Sequence, residues 1–483
     1  MAFKDLRDFI ALLEKRNQLK RIVAPVSSDL EITEITDRIC KSKNNNVALL
    51  FENVEGHSMP VLMNAFGSFD RVAWALGVDK IEDLADRMRG LISTDLPTSI
   101  VEKLQKLFQV IDLGRYTPKI VAKAPCQEVV NTDNPSLDAL PILKCWPEDG
   151  GRFITLPMVI SRDPASGKRN MGMYRMQVFD SRTTGMHWHL HKGGAAHHRE
   201  SERQNRRLEV AVALGGDPAT IFSASAPLPH GIDELVFAGW LRRDRVDLVK
   251  AKTVDLEVPA EAEIVLEGYV DPAERREEGP FGDHTGYYSL VDRYPVFHLT
   301  GITHRKNPIY PATIVGKPPM EDCYFGKVVE RFFLPLLQML LPEVVDMSMP
   351  LEGVFHNIVI FSIKKSYPGQ AKKVMYAIWG LMLMMLTKTI IIVDEGTNVQ
   401  DLGEVIWRVG NNVDPRRDVV IIDGPLDALD HSSPTPHYGS KMGIDATKKT
   451  AIDGHPRPWP NDIVMDPEIK RRVDAKWKSL GLP

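Results

Sequence analysis

Phe3, Leu6, Phe9, Ile10, Leu12 and Leu13 recur at roughly helical spacing with charges between them, which predicts an amphipathic helix over 4–16. A second helix is expected after Ser28, with Glu31 three residues on as a capping-box partner, running to about Cys40. Val47–Phe51 and Pro60–Asn64 read as short buried strands, and helical patterns return at 80–91 and 97–109. Residues 1–117 thus form an expected N-terminal α/β domain. From 118 to 310 the period shortens. Strands are expected at Lys119–Ala122, Ile154–Ser161, Asn170–Asp180, Leu208–Leu214, Ala219–Ser223, Glu263–Val270 and Val296–Thr300. Turn signals such as Glu148-Asp149-Gly150-Gly151 and Gly215-Gly216-Asp217-Pro218 separate them, so a barrel or sandwich is expected.

Residues 311–455 return to α/β alternation. A helix at 326–341 precedes strands near Val359–Ile363, Thr389–Val393 and Asp418–Ile422, and such continuous apolar runs suit a sheet covered on both faces. The apolar stretch Val374–Val393 is broken by Thr387-Lys388-Thr389, so it reads as a buried helix and then a buried strand, not a membrane span. Residues 456–483 form a Pro-rich, then basic, tail ending in a short helix.

Composition changes this picture little. The 483 residues are 43% hydrophobic and 26% charged with a net charge of −4, which suits a soluble multidomain protein and offers no basic patch for nucleic acid. Four scattered cysteines, Cys40, Cys126, Cys145 and Cys323, lack metal-type spacing and read as reduced thiols. The N-terminus has no signal-peptide core, so a cytoplasmic protein is expected, with at most peripheral membrane association.

Four clusters carry candidate chemistry. In Glu274–Tyr288, Pro280 and its flanking glycines forbid helix, so Glu278 and Asp283 flank a bend. Two carboxylates brought close there would raise the proton affinity of one, unless the stretch is simply a solvated loop. As a strand, Asn170–Gln177 would place Asn170, Gly172 and Tyr174 on one face and Met171, Met173 and Arg175 on the other. Arg175 then either meets an anion or reaches solvent from an edge. His187, His189 and His191 at alternate positions, with His197 and His198 beyond, invite a metal reading or are ordinary hydrogen-bonded histidines. Ser223-Ala224-Ser225-Ala226-Pro227 is a small-residue loop a ligand can approach, and Glu234 begins a helix as a cap or a cation ligand. Lys388, between a buried helix and strand, needs an anionic partner. No GxGxxG follows a strand and no Walker loop is present.

Taken with Trp146-Pro147-Glu148-Asp149-Gly150-Gly151, Asn170–Arg175, Glu278–Tyr287 and Gly439–Thr447, in that order, the chain resembles the UbiD family of prenylated-FMN-dependent decarboxylases over essentially its whole length. The resemblance implies an α/β multidomain fold: an N-terminal α/β domain, a central FMN-binding split β-barrel and a C-terminal α/β domain with a tail helix. It implies a catalytic network on Arg175, Glu278 and Asp283, and divalent-metal ligands on Asn170, His191 and Glu234. The metal would be Mn2+, or Mg2+ or Fe2+, with a possible role for K+. Cofactor contacts would come from Asn170, Met171, Gly172, Met173, Tyr174, Arg175, Leu190, His191, Ser223, Ala224, Ser225, Ala226, Pro227, Glu234 and Lys388, the last toward the phosphate. His187 and His189 are extra to the usual pattern. The implied reaction is reversible loss of CO2 from an aromatic acid, with 3-polyprenyl-4-hydroxybenzoate of ubiquinone biosynthesis first and a small phenolic acid or a naphthoate as alternatives. A flavin prenyltransferase would supply the cofactor, and a homo-oligomer, dimer or hexamer, is expected. Readings from other classes are a flavin-binding subunit of a carboxylase complex and a zinc hydrolase built on the histidine run.

Overall fold

Asp5 starts the chain's first helix: its carboxylate accepts from the Arg7 and Asp8 N–H groups, and Leu6–Lys15 follows with Leu6, Phe9, Ile10 and Leu13 buried. The computed structural model describes residues 3–92, 113–189, 192–228 and 232–482, so the helix expected over 97–109 lies outside the described residues. The second helix, Glu31–Cys40, begins later than predicted; Glu31 still reaches back, accepting from the Ser27 N–H at 2.8 Å.

The N-terminal sheet runs Leu19–Ile22, Ala48–Phe51, Val61–Met63 and Tyr310–Pro311 in spatial order. Its last strand comes from far along the chain and pairs in parallel with Val61–Met63. Central residues, where the split barrel was expected, form a seven-stranded antiparallel sheet. Its path is Thr183–Gly185, Asp292–His304, Ile264–Glu278, Leu208–Leu214, Met158–Arg162 and Arg169–Met173, with Val129–Asn131 added on Asp292–His304.

Several boundaries differ from expectation for physical reasons. Ala219–Ser223 belongs to a helix, Pro218–Ser223: Asp217 caps it by accepting from Thr220 N–H, and Pro218 takes the first helical position, so Asp-Pro marked a helix start and not a turn. The strand expected at Glu263–Val270 continues to Glu278, with a register shift against its partner between Val270 and Arg275. The run Asn170–Asp180 breaks at Tyr174 and Arg175 and resumes as Met176–Gln177, paired with Phe153–Ile154.

The C-terminal sheet orders Val344–Ser348, Ile358–Ile363, Thr389–Asp394, Tyr438–Asp445 and Val419–Pro425. Alternation puts Val359, Phe361, Ile390 and Ile392 against Val374, Met375 and Ile378 of the helix Gln370–Trp379. Ile360, Ile391 and Val393 face the other way, toward Val405. The apolar run Val374–Val393 is therefore helix and then strand, and among the described residues no helix is long and apolar enough to cross a membrane. One helix, Glu321–Leu340, joins the cores: Phe325, Val328 and Phe332 pack with the N-terminal and central residues, Leu334 and Leu337 with the C-terminal sheet. The tail helix Pro467–Lys476 buries none of its residues.

Arg305 fastens the first helix to the central sheet. Its guanidinium meets Asp5 at 3.0 Å, Glu261 at 2.6 Å and the Glu261 carbonyl at 2.9 Å, and lies 3.5 Å from Glu263, which is fully buried and also held by Arg7. Arg305→Met would leave buried carboxylates without their cation, a loss of about 3–5 kcal/mol. A urea melt should show an earlier first transition; an unchanged midpoint would mean that Arg7 alone suffices.

Candidate active site

Two glycine-rich turns lock together to build the site. The Asp149 carboxylate accepts from the Cys145, Trp146 and Gly282 N–H groups at 3.2, 2.9 and 2.8 Å, and Gly150 N–H donates to the Pro280 carbonyl at 2.8 Å. Contact is so close that a Cβ on Gly150 would sit 2.2 Å from the Gly279 carbonyl oxygen, and one on Gly282 2.2 Å from the Trp146 ring. Gly279, with φ +103°, takes a conformation open to glycine, and its N–H donates to Gln177 at 2.6 Å. The Trp146–Gly151 motif thus fixes the shape of the bend that carries Glu278 and Asp283.

That bend delivers both carboxylates to one arginine. Arg175 Nε donates to Glu278 Oε1 at 3.1 Å, Nη1 pairs with Asp283 Oδ2, and Nη2 donates to Ser289 Oγ at 3.2 Å. The guanidinium also lies over Phe281, 4.6 Å from the ring centroid. Arg175 stands in the strand break and not on a regular strand face as expected, which lets it point at the bend. Tyr174 folds back over Gly172, where a Cβ would clash with its ring at 2.2 Å.

Histidines extend the network at both ends. His187 Nδ1 is 2.6 Å from Glu278 Oε2, its Nε2 is 2.5 Å from His189 Nε2, and its ring lies tilted against that of Tyr294 with centroids 4.2 Å apart. On the other side His284 Nδ1 is 2.8 Å from Asp283 Oδ1. Residues 186–189 are not a strand, so His187 and His189 do not share a strand face. His197 instead meets Ser161 Oγ at 2.9 Å from the helix Gly193–Gln204.

Electrostatics follow from this sharing. Burial pushes Asp283 up, but the Arg175 charge and the His284 hydrogen bond outweigh it and hold the carboxyl well below the usual range. Burial likewise opposes ionisation of Glu278, and the His187 hydrogen bond and Arg175 reverse the balance. Both carboxylates are low, contrary to the expectation that one of them would be raised, because the guanidinium binds both. His187 is lowered by burial and by Arg175.

The candidate cofactor residues gather along Arg169–Met173. The Met171 N–H donates to Glu234 Oε2 at 2.9 Å, and the Met173 N–H to the Ala224 carbonyl at 2.8 Å, which brings the Ser223–Pro227 segment alongside. Asp233 caps the helix Glu234–Arg242 and pairs with Arg169 at 2.6 Å. Asn170 packs so tightly on Gly193 that a Cβ there would lie 1.8 Å from its Oδ1. Burial pushes Glu234 up to about 7. Leu190 and His191 lie outside the described residues, and among the described residues no three His, Cys, Asp or Glu side chains are placed to hold a metal ion. Lys388 stands apart: its ammonium pairs with Asp430 at 2.9 Å and with Ser432 Oγ, so the loop supplies the anion it needs and a phosphate is not required for that.

Sequence reasoning missed Ser289 and Tyr294, and nothing in local spacing pointed to either.

Comparison with known proteins agrees with this architecture. Models of the 3-octaprenyl-4-hydroxybenzoate carboxy-lyase family match in succession: the N-terminal domain over 10–88, the Rift-related domain over 119–318 and the C-terminal domain over 323–446. An uncharacterized protein of Archaeoglobus fulgidus is 53% identical over 482 residues, covering 99% of both chains; one from Aquifex aeolicus is 51% identical with the same coverage. Among solved structures, vanillic acid decarboxylase of Sedimentibacter hydroxybenzoicus in its closed form matches with TM-score 0.85, 30% identity and full coverage of both chains. The UbiD-class enzyme HmfF of Pelotomaculum thermopropionicum, in complex with FMN, matches with TM-score 0.82 and 30% identity over 98% of this chain and 100% of that one. The fold is a mixed α/β, multidomain one of the UbiD class. The chain belongs to the UbiD family, and is a carboxy-lyase.

Because Glu278 and Asp283 are depressed in the folded protein, they add stability above the ordinary carboxylate pKa of about 4 and lose it as pH falls. Melting temperature should therefore rise with pH through the acid range. Arg175→Met removes the cation that depresses both, and its curve should be flatter and lower at neutral pH. Parallel curves would show that Arg175 does not set these pKa values.

Proposed function

We propose that this protein is a prenylated-FMN-dependent, non-oxidative and reversible decarboxylase of an aromatic acid. The observation that carries the reading is a single, largely buried guanidinium shared by Glu278 and Asp283 just past the end of the strand that presents Asn170. The residues fit the implied groups. Asn170 and Glu234 offer hard oxygen donors, and a buried carboxylate raised to about 7 is one that a divalent cation would return to the ionised state. Asn170 and Glu234, with His191, would hold that metal at the cofactor phosphate, and the Ser223–Pro227 segment would border the flavin. When bound, the prenylated flavin supplies the electron sink for loss of CO2, chemistry no side chain here provides.

The chain's own residues bind, orient and protonate. A substrate carboxylate competes with Glu278 and Asp283 for Arg175, because an arginine fork prefers a bidentate carboxylate. As the guanidinium turns to the substrate, the carboxylates keep their burial and lose their cation, so their proton affinity rises. One of them then delivers a proton to the carbon that CO2 leaves: the acid RCOO⁻ plus H⁺ becomes RH plus CO2. The two titrate as a coupled set, since both share Arg175.

For the substrate, the description of the matched family and the exposed Leu290 and Val291 beyond the bend support 3-polyprenyl-4-hydroxybenzoate, in ubiquinone biosynthesis. The imidazoles of His187, His189 and His284 around the carboxylates support a second reading, a small phenolic acid whose ring carries polar groups. The cofactor would come from a flavin prenyltransferase, and a homo-oligomer remains the expected assembly.

Protein co-expressed with a flavin prenyltransferase should show prenylated FMN and a divalent ion by native mass spectrometry, and should release CO2 from aromatic acids. Polyprenylated and short phenolic acids, compared on that preparation, separate the two substrate readings. Glu278→Gln should lose about 10²–10⁴-fold in kcat with the cofactor still bound. Full activity in that variant would remove Glu278 from the mechanism, and a preparation without flavin would overturn the reading.

A further inference from the structure

Asp283 is not the end of the hydrogen-bonded chain that begins at Arg175. His284 Nδ1 contacts Asp283 Oδ1 at 2.8 Å, and its Nε2 is 2.8 Å from Nε2 of His356. The two histidines belong to different parts of the molecule: His284 lies in the stretch 119–318 and His356 in 323–446. The imidazole contact therefore crosses the seam between the central and C-terminal regions.

The backbone is bent out of its ordinary range to make that contact. Val354 and Phe355, with φ +46° and +50°, occupy the left-handed region in succession, unusual for a β-branched and a bulky residue. What holds them is visible. The Phe355 side chain lies on Gly326 of the helix Glu321–Leu340, where a Cβ would be 2.4 Å from Phe355 Cβ, and its ring is 5.3 Å from that of His284. His356 Nδ1 is buried and has no hydrogen-bond partner among the described residues, so the ring is placed for its Nε2 contact.

Charged groups approach the pair from every side. Asp283 and, through it, Arg175 come from the central region; Asp322 from the start of Glu321–Leu340; Asp427, itself faced by His189, from the loop after Val419–Pro425; Lys192 from the segment before Gly193–Gln204. Burial disfavours a charged His284, yet the hydrogen bond and charge of Asp283 raise its pKa. Burial and the His284 charge push His356 down to about 4. The opposite directions favour His284 over His356 as the charged member of the pair.

We propose that His284 is the proton store of the reaction and that His356, brought across the seam by the C-terminal region, is its positioning residue. The inference rests on the decarboxylase reading. When the substrate carboxylate draws Arg175 away, the His284 Nδ1–H bond breaks and the proton passes to Asp283 Oδ1. The Asp283 O–H then breaks as the carbon–hydrogen bond forms and CO2 departs. His284 is left neutral, still donating Nε2–H to His356 Nε2, and solvent restores its proton. His356 lowers the energy of the imidazolium by accepting from Nε2–H, and fixes the ring so that Nδ1 faces Asp283.

Side-chain 15N NMR of the full-length protein, with His284→Gln for assignment, reads the store directly. His284 should carry protons on both nitrogens at neutral pH. In His356→Phe its titration should move down by about one pH unit, since a charge-assisted hydrogen bond is lost. In the holoenzyme, the alkaline limb of the kcat profile should move down by the same amount in His356→Phe with KM unchanged. His356→Gln, whose amide oxygen can accept Nε2–H, should restore it. A neutral His284 in the wild type, or a titration and profile unmoved in His356→Phe, would overturn the proposal. If His356→Phe does not fold, Asp283→Asn keeps the test open: it should lower the His284 titration, and an unmoved one overturns the store. A holoenzyme inert toward every aromatic acid would defeat the functional reading, while the NMR titration would still decide whether His284 holds the proton.

Discussion

One guanidinium for two buried carboxylates is the constraint on which the rest of the structure depends. Glu278 and Asp283 are 1% and 6% exposed, and a buried carboxylate stripped of its partner costs about 3–5 kcal/mol. Arg175 must therefore reach both, and local structure bends to allow it. The strand stops at Met173, Tyr174 folds over Gly172, and the bend after Glu278 is held from outside by Asp149 and Gly150. Each of those devices is a glycine, or an acid hydrogen-bonded to backbone, and each would fail with a larger or apolar residue. Sharing also sets the chemistry. A cation that keeps two acids ionised at rest makes both sensitive to any anion that competes for it.

Much of the scaffold was legible in the chain. Continuous apolar runs at Ile358–Ile363 and Thr389–Asp394 became the two-sided sheet they suggested, and the first helix obeyed its periodicity with Asp5 as cap. The misses share a cause: local pattern does not encode which partner a segment finds. Tyr310–Pro311 joins a sheet of residues more than two hundred positions earlier, and Tyr438–Asp445, rich in glycine and polar residues, is a strand paired between Thr389–Asp394 and Val419–Pro425. Ala219–Ser223 reads as a strand because Thr220, Ile221 and Phe222 are β-branched or aromatic, while the Asp217-Pro218 pair that starts a helix looks like a turn.

The site divides in the same way. Residue types and the Gly-Pro-Phe-Gly bend pointed to Glu278 and Asp283, and family likeness added Arg175 to them. What spacing did not reveal was that the arginine binds both carboxylates, so that both are lowered where one was expected to be raised. Nor could it link His187 to Glu278, 91 positions apart, or His284 to His356, 72 apart. Of the histidine run, His187 is a hydrogen-bond partner of Glu278, and His284, from the bend, is the partner of Asp283, one at each end of the arginine's reach.

That distribution gives the two carboxylates different neighbours and hence different duties. Glu278 leans on a histidine that burial and Arg175 keep neutral, whereas Asp283 leans on one that it raises toward the charged form. A neutral donor orients its acceptor; a charged one can also supply a proton. The asymmetry does not come from the carboxylates, which are both buried and both bound to Arg175. It comes from what lies behind them: His187 backs onto Tyr294 and His189 within the central region, His284 onto a C-terminal loop. A single seam between regions is then enough to distinguish two carboxylates that share one cation.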